Sequence, residues 1–248
     1  MNICVCDNYE KMSQKAASLM IEAINKNPEG LISLPGGDTP VGMINEFVSA
    51  VKQGQTDITR AKYVSLDEWV GLSAEDEGSC AHFNKKHLGS IMDSFAQLHI
   101  INGANANIEE ERRNLDNFIA AHGPLTVSVL GIGLNGHIGF NEEGCSFTDL
   151  TTGAHIIPLS PTTKKVMSKY FKADQFKAQS SPEYGITQSL GQIMAAELVI
   201  LIASGANKSD IIYRALKGPI TEDIPASILQ KHTNCYVVTD SDAGKAVI

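Results

Sequence analysis

The chain has 248 residues, 43% of them hydrophobic and 19% charged, which excludes a disordered chain, a coiled coil and a collagen-like fibre. With 20 Lys and Arg against 28 Asp and Glu the net charge is −8, so the positive footprint of a nucleic-acid binder is missing. No apolar run approaches the roughly 18 residues of a membrane span, and the start, MNICVCDNYEKM, lacks the plan of a signal peptide; a cytoplasmic protein with neither nucleic-acid nor membrane partners is expected.

Ile3–Cys6 reads as a strand, with Cys4 and Cys6 on one face as small core residues. Cys80, Cys145 and Cys235 bring the cysteines to an odd, scattered five, which argues against a disulfide framework. Asp7 with Glu10 has the capping-box pattern. Met12, Ala16, Leu19, Met20, Ala23 and Ile24 follow at helical spacing, and Pro28 ends that helix. Leu31–Leu34 is a strand, followed by the turn Pro35-Gly36-Gly37-Asp38-Thr39-Pro40. Pro40 suits the first position of a second helix, with Thr39 or Asp38 as its cap. Tyr63–Leu66 is a third strand ending at Asp67, and Leu98–Ile101 a fourth. Ile108–Ala121 reads as a charged surface helix. Thr126–Leu130 is a strand running into Gly131-Ile132-Gly133-Leu134-Asn135-Gly136-His137. Glu197–Ala203 is another, followed by Ser204-Gly205-Ala206-Asn207-Lys208 and a helix closed by Gly218. Cys235–Val238 is a last strand.

This alternation predicts an α/β protein: a mostly parallel, doubly wound, Rossmann-like sheet with helices on both faces. No repeat or linker breaks it, so residues 1–248 read as one domain. Segments 35–39, 67–69, 131–142 and 204–208 each follow a strand. In a parallel sheet the carboxyl ends lie along one edge, where ligands bind, so the four segments are predicted to converge.

Each segment has a chemical and a bland reading. Gly36 and Gly37 before a helix start favour a phosphate; the alternative is a plain tight turn. Lys208 in a first helical turn opposes the helix dipole unless an anion sits nearby; the alternative is a solvated lysine. Residues 131–136 match G-x-G-x-x-G, but HIGFNEEGCSF follows where a dinucleotide site needs a helix. The glycines then serve to bring a loop close to a substrate. His137 and Glu142 in that loop suit proton transfer, because a carboxylate fixes an imidazole's tautomer and raises its basicity; a structural histidine is the alternative. Asp67 is a carboxylate at a strand end, either working or capping the next loop. No paired ligands at zinc spacing and no cofactor motif are present, so no metal and no cofactor are expected. Segment 73–86 reads as a lid or as a solvated loop running into a helix.

LPGGDTP (34–40), LDEWVGL (66–72), GIGLNGHIGFNE (131–142) and SGANK (204–208) together resemble the glucosamine-6-phosphate deaminase/isomerase family, which shares its fold with 6-phosphogluconolactonase. The resemblance runs from about residue 8 to 240. It implies conversion of a 2-amino-2-deoxyhexose 6-phosphate to a ketohexose 6-phosphate and ammonia, without metal or nucleotide. It also implies that Asp67 is the base moving the C2 proton to C1. His137 would open the sugar ring, with Glu142 supporting it. Gly36, Gly37, Asp38 and Thr39 would form the phosphate turn, with Lys208 the phosphate lysine and Lys169 a candidate second cation. A small sugar phosphate is the implied partner, and a homo-oligomer is compatible with it. Asn135 departs from the Asp-Gly-His usual in the deaminases; with Leu66–Trp69 and Gly78-Ser79-Cys80 it is more similar to the branch labelled galactosamine-6-phosphate isomerase. Asn carries no negative charge to stabilise a protonated His137. Residues 143–157 contain no Lys or Arg, so activation by an allosteric N-acetylglucosamine 6-phosphate is not expected. The alternatives are a 6-phosphogluconolactonase-type hydrolase and a non-catalytic sugar-phosphate sensor.

Overall fold

The computed structural model describes residues 1–167 and 182–248; Lys169 lies outside the described residues. The central sheet has seven parallel strands: β1 (Asn2–Cys6), β2 (Leu31–Leu34), β3 (Lys62–Ser65), β5 (Gln97–His99), β6 (Leu125–Leu130), β9 (Val199–Ala203) and β10 (Cys235–Asp240). Their order is β1-β10-β9-β6-β2-β3-β5. The strands β2, β6 and β9 are buried at every position, the polar Ser33, Thr126 and Ser128 included, as strands covered on both faces must be.

The helices divide between the two faces. On one, α1 (Tyr9–Lys26), α2 (Val41–Lys52) and α3 (Cys80–Met92) cover Ile32, Leu34, Val127, Val129, Ile200 and Ile202. On the other, α4 (Ile108–His122), α6 (Leu190–Met194) and α7 (Ser209–Lys217) cover Leu31, Val64, Leu125, Leu130, Val199 and Leu201. Residues adjacent in a strand thus enter different cores, the period-2 consequence of the pleat. Cys4 and Cys6 both pack on the α1 side.

Several boundaries differ from those the sequence suggests. Helix α1 is capped by Asn8, whose side chain accepts from the Lys11 amide, so Asp7 and Glu10 form no capping box. Pro40 sits at the cap of α2 rather than inside it, so the cap is neither Thr39 nor Asp38. The expected strand 63–66 stops at Ser65. Beyond Leu66 the chain starts β4 (Asp67–Trp69), part of a second sheet with β7 (His155–Pro158) and β8 (Tyr184–Thr187) in the antiparallel order β4-β8-β7. Gln188 stitches the two sheets together. Its Nε2 donates to Ser33 Oγ and the Ser65 carbonyl, each at 2.9 Å, and its amide to the Leu66 carbonyl.

The topology also fixes where a ligand can sit. From β2 the sheet grows through β3 to β5 on one side. From β6 it grows through β9 and β10 to β1 on the other. The β2/β6 boundary is the switch point, and the crevice beyond its carboxyl ends is the natural ligand site. The four segments singled out in the sequence follow the four contiguous strands β9, β6, β2 and β3. The expected convergence is therefore present.

Candidate active site

The turn after β2 lies on one side of the switch point. Gly37 has φ 99, a region that favours glycine. Tyr9 braces the turn from α1: its hydroxyl donates to the Thr39 carbonyl at 3.1 Å and accepts from the Gly42 amide at 2.8 Å. The Gly42 amide is therefore taken. Gly36, Gly37 and Thr39 are half-buried and Asp38 is exposed.

The loop after β6 lies opposite. Gly136, with φ 90, turns the chain back so that His137 faces inward. A methyl group at Gly133 would overlap the His137 ring, so this glycine exists to seat an imidazole. That is the physical content of the G-x-G-x-x-G match. His137 Nδ1 faces Glu142 Oε2 at 3.4 Å and Thr163 Oγ1 at 3.2 Å. An ionised carboxylate can only accept, so Nδ1 carries the proton and Nε2 is left as an acceptor. Asn135 Nδ2 donates to Glu142 Oε2 at 2.8 Å, and the Ser160 amide to Oε1 at 3.3 Å. Burial pushes Glu142 up, but the His137, Thr163 and Asn135 partners outweigh it and hold the carboxyl at about 2. Glu142 therefore stays charged beside the imidazole.

Asp67 stands where the chain crosses from the main sheet into the small one, and it is 9% exposed. Burial pushes its carboxyl up to about 6, against the pull of the Cys80 thiol and the nearby His137 imidazole. The Cys80 Sγ donates to Asp67 Oδ1 at 3.5 Å. Glu68, fully buried, does a different job. Its Oε1 accepts the Trp69 and Cys80 amides at 2.7 and 3.0 Å, and its Oε2 the Ala81 amide at 2.7 Å. It thereby satisfies the open start of α3, where orphan N–H groups need acceptors. Burial pushes its carboxyl up to about 8 against the pull of those amides.

Lys208 ends a short 3₁₀ turn, Ala206–Lys208, before α7. Its ammonium donates to the Ile132 carbonyl at 2.5 Å, tying the turn after β9 to the loop after β6. Segment 73–86 divides. Ser79 caps α3 by accepting from the His82 amide, so residues 80–86 are fixed helix and only the residues before Ser79 remain loop. The structure thus brings Asp67, Asn135, His137, Glu142, the 36–39 turn and Lys208 to one sheet edge. Sequence reasoning missed Glu68, Cys80, Tyr9, Ser160 and Thr163. Of these only Glu68 and Cys80 carried a signal, as members of the motif stretches. Among the described residues no cluster of His, Cys, Asp and Glu is placed to hold a metal ion, and no helix is long and apolar enough to cross a membrane.

The sequence model of a family described as glucosamine-6-phosphate isomerases/6-phosphogluconolactonase matches residues 7–140. The chain is 35% identical to a glucosamine-6-phosphate deaminase of Geobacillus sp. over 98% of its length and 94% of the relative's. It is 36% identical to one of Clostridium perfringens over 99% of both chains. The solved structure of a monomeric glucosamine-6-phosphate deaminase superposes with a TM-score of 0.89 at 28% identity, covering 99% of this chain and 100% of that one. A 6-phosphogluconolactonase from Trypanosoma brucei superposes at 0.78 with 17% identity, covering 100% and 98%; it shares the fold.

Proposed function

The chain belongs to the family of glucosamine-6-phosphate isomerases and 6-phosphogluconolactonases, and from that premise we propose how its site works. The protein is an enzyme that deaminates and isomerises a 2-amino-2-deoxyhexose 6-phosphate to a ketohexose 6-phosphate and ammonia. One observation carries the reading. A buried carboxylate held at about 6, Asp67, shares the crevice with an imidazole whose outer nitrogen is left free by Glu142 and Thr163.

The chemistry needs both groups. His137 Nε2 exchanges a proton with the ring oxygen, which opens the sugar. Asp67 then takes the proton from C2 and returns it to C1. The C2 amine becomes an imine, and water hydrolyses it to a ketone and ammonia. A base poised near 6 is ionised at neutral pH yet basic enough to accept a carbon-bound proton. A lactone hydrolase needs no such shuttle, so Asp67 favours the isomerase over the hydrolase. Gly36, Gly37, Asp38 and Thr39 before α2, with Lys208 across the crevice, supply the anion site for the 6-phosphate. The cytoplasm is the proposed compartment.

Asn135 and the run Gly78-Ser79-Cys80 favour the galactosamine epimer, whereas the relatives described above carry the glucosamine name. Ammonia release from galactosamine 6-phosphate and glucosamine 6-phosphate, with 6-phosphogluconolactone hydrolysis as control, tests the reading. Release from either epimer supports it, and the preferred one identifies the C4 configuration. No release from either, with lactone hydrolysis, replaces it with the hydrolase. Binding of both without turnover replaces it with a sensor.

A further inference from the structure

Cys80 is the first residue of α3, and its thiol lies between two parts of the site. On one side Sγ donates to Asp67 Oδ1 at 3.5 Å. On the other a side chain at Gly36 would meet Sγ at 3.5 Å, so the phosphate turn passes directly against it. The helix start that carries the thiol is pinned by Glu68, through the Cys80 and Ala81 amides. Glu68 is adjacent to Asp67 in β4. The carboxylate, the clamp and the thiol therefore form one closed loop of contacts.

We propose that Cys80 is a positioning residue: its thiol occupies Oδ1 of Asp67, held there by the Glu68 clamp, and so leaves Oδ2 as the oxygen that carries the proton between C2 and C1. The inference rests on the reading of Asp67 as the shuttling base. A carboxylate free to rotate presents either oxygen in many orientations, and proton transfer between adjacent carbons needs one oxygen in one place. A thiol is a weak donor. It orients the carboxylate without extinguishing its basicity, as a cation would. Burial raises the Cys80 thiol well above its usual range, so it remains a donor throughout the working pH range.

The groups facing Asp67 are Cys80 from α3, His137 from the loop after β6, Glu68 beside it and Tyr63 from β3. Removing the thiol leaves the other three in place, and the ionised carboxylate loses a donor. In Cys80→Ala the acidic limb of the kcat/KM profile for ammonia release should move up by roughly half a pH unit, as expected for loss of one weak hydrogen bond to the charged form. Cys80→Ser, which restores a donor, should return it toward the wild-type position. A purely structural cysteine would change the unfolding midpoint and leave the limb where it is. Asp67→Asn is assayed alongside. If it is inactive and the Cys80→Ala limb coincides with the wild-type limb, this inference is overturned alone. If Asp67→Asn still turns over, the base assignment fails and the inference falls with it. Should Cys80→Ala not fold, the infrared S–H stretch decides, with the Cys80 band identified by its loss in Cys80→Ser. A band shifted down from the free-thiol position supports the contact, and one at that position overturns it.

Discussion

Asn135 Nδ2 and His137 Nδ1 converge on the same carboxylate oxygen, Glu142 Oε2, at 2.8 and 3.4 Å. The asparagine that the sequence marks as a lost negative charge is thus a donor that helps keep Glu142 ionised. An aspartate in its place would put two carboxylates in contact and add a second charge beside the imidazole. Asn135→Asp should therefore raise the Glu142 carboxyl from about 2, because a donor is lost and a like charge is gained. Following the Glu142 carboxyl resonance by 13C NMR would show it; an unchanged Glu142 titration would remove the charge argument.

Asp67 and Glu142 have opposite consequences for stability. Burial raises the folded value of Asp67 from 3.8 to about 6, so ionising it costs the folded state. That cost is absent below about 4 and complete above about 6. Glu142 is lowered from 4.5 to about 2, so it contributes stability that is present above about 4.5 and lost as pH falls through about 2. At neutral pH Asp67→Asn should stabilise the protein and Glu142→Gln should destabilise it, each on the order of 1–3 kcal/mol. Urea unfolding at pH 7.5 checks both signs. The activity should also fall as pH drops through about 6, where the proposed base becomes protonated.

Lys208 donates to the Ile132 carbonyl, which holds its ammonium between the turn after β9 and the loop after β6. Lys208→Ala should raise KM by about tenfold or more, the loss expected for one charge-assisted hydrogen bond. It should weaken competitive inhibition by inorganic phosphate in parallel. An unchanged KM would contradict the phosphate role.

Gly133 has no room for a side chain because the His137 ring fills the space. Gly133→Ala should displace the imidazole and lower kcat by roughly tenfold to a hundredfold, the usual penalty for misplacing a catalytic group by about 1 Å. Binding of a substrate analogue should change little, since the phosphate turn and Lys208 are untouched. Wild-type kcat in this variant would show that the glycine does not seat the ring.

Most of the main sheet was legible because β2, β6 and β9 are short, mostly apolar runs closed by glycine-containing turns, and a parallel sheet sends such turns to one edge. The small sheet was not. Strand β4 has three residues, and its pairing with β8 joins Asp67 to Thr187, far apart in the chain. The same distance hid the partners of the site. Ser160 and Thr163 meet Glu142 and His137 only because α5 (Pro161–Met167) starts over the β6 loop. Tyr9 meets Thr39 because α1 packs beside α2. Asp67, His137, Glu142 and Lys208 drew attention in the sequence because each stands in a segment that follows a strand, where an apolar core does not call for a charged or imidazole side chain. The capping error at α1 was local: Asp7 and Asn8 are both good caps, and only the backbone at Asn8 decides between them.

The central claim is that Asp67 carries a proton from C2 to C1, and the most direct test is turnover in D2O followed by NMR of the ketose product. In the wild-type enzyme the protium that Asp67 takes from C2 should be found at C1, diluted only by the deuterium the carboxyl gains from solvent before returning it. Asp67→Asn should form no product at all while still binding a substrate analogue. Ketose formed by Asp67→Asn at a rate near wild type would contradict the account.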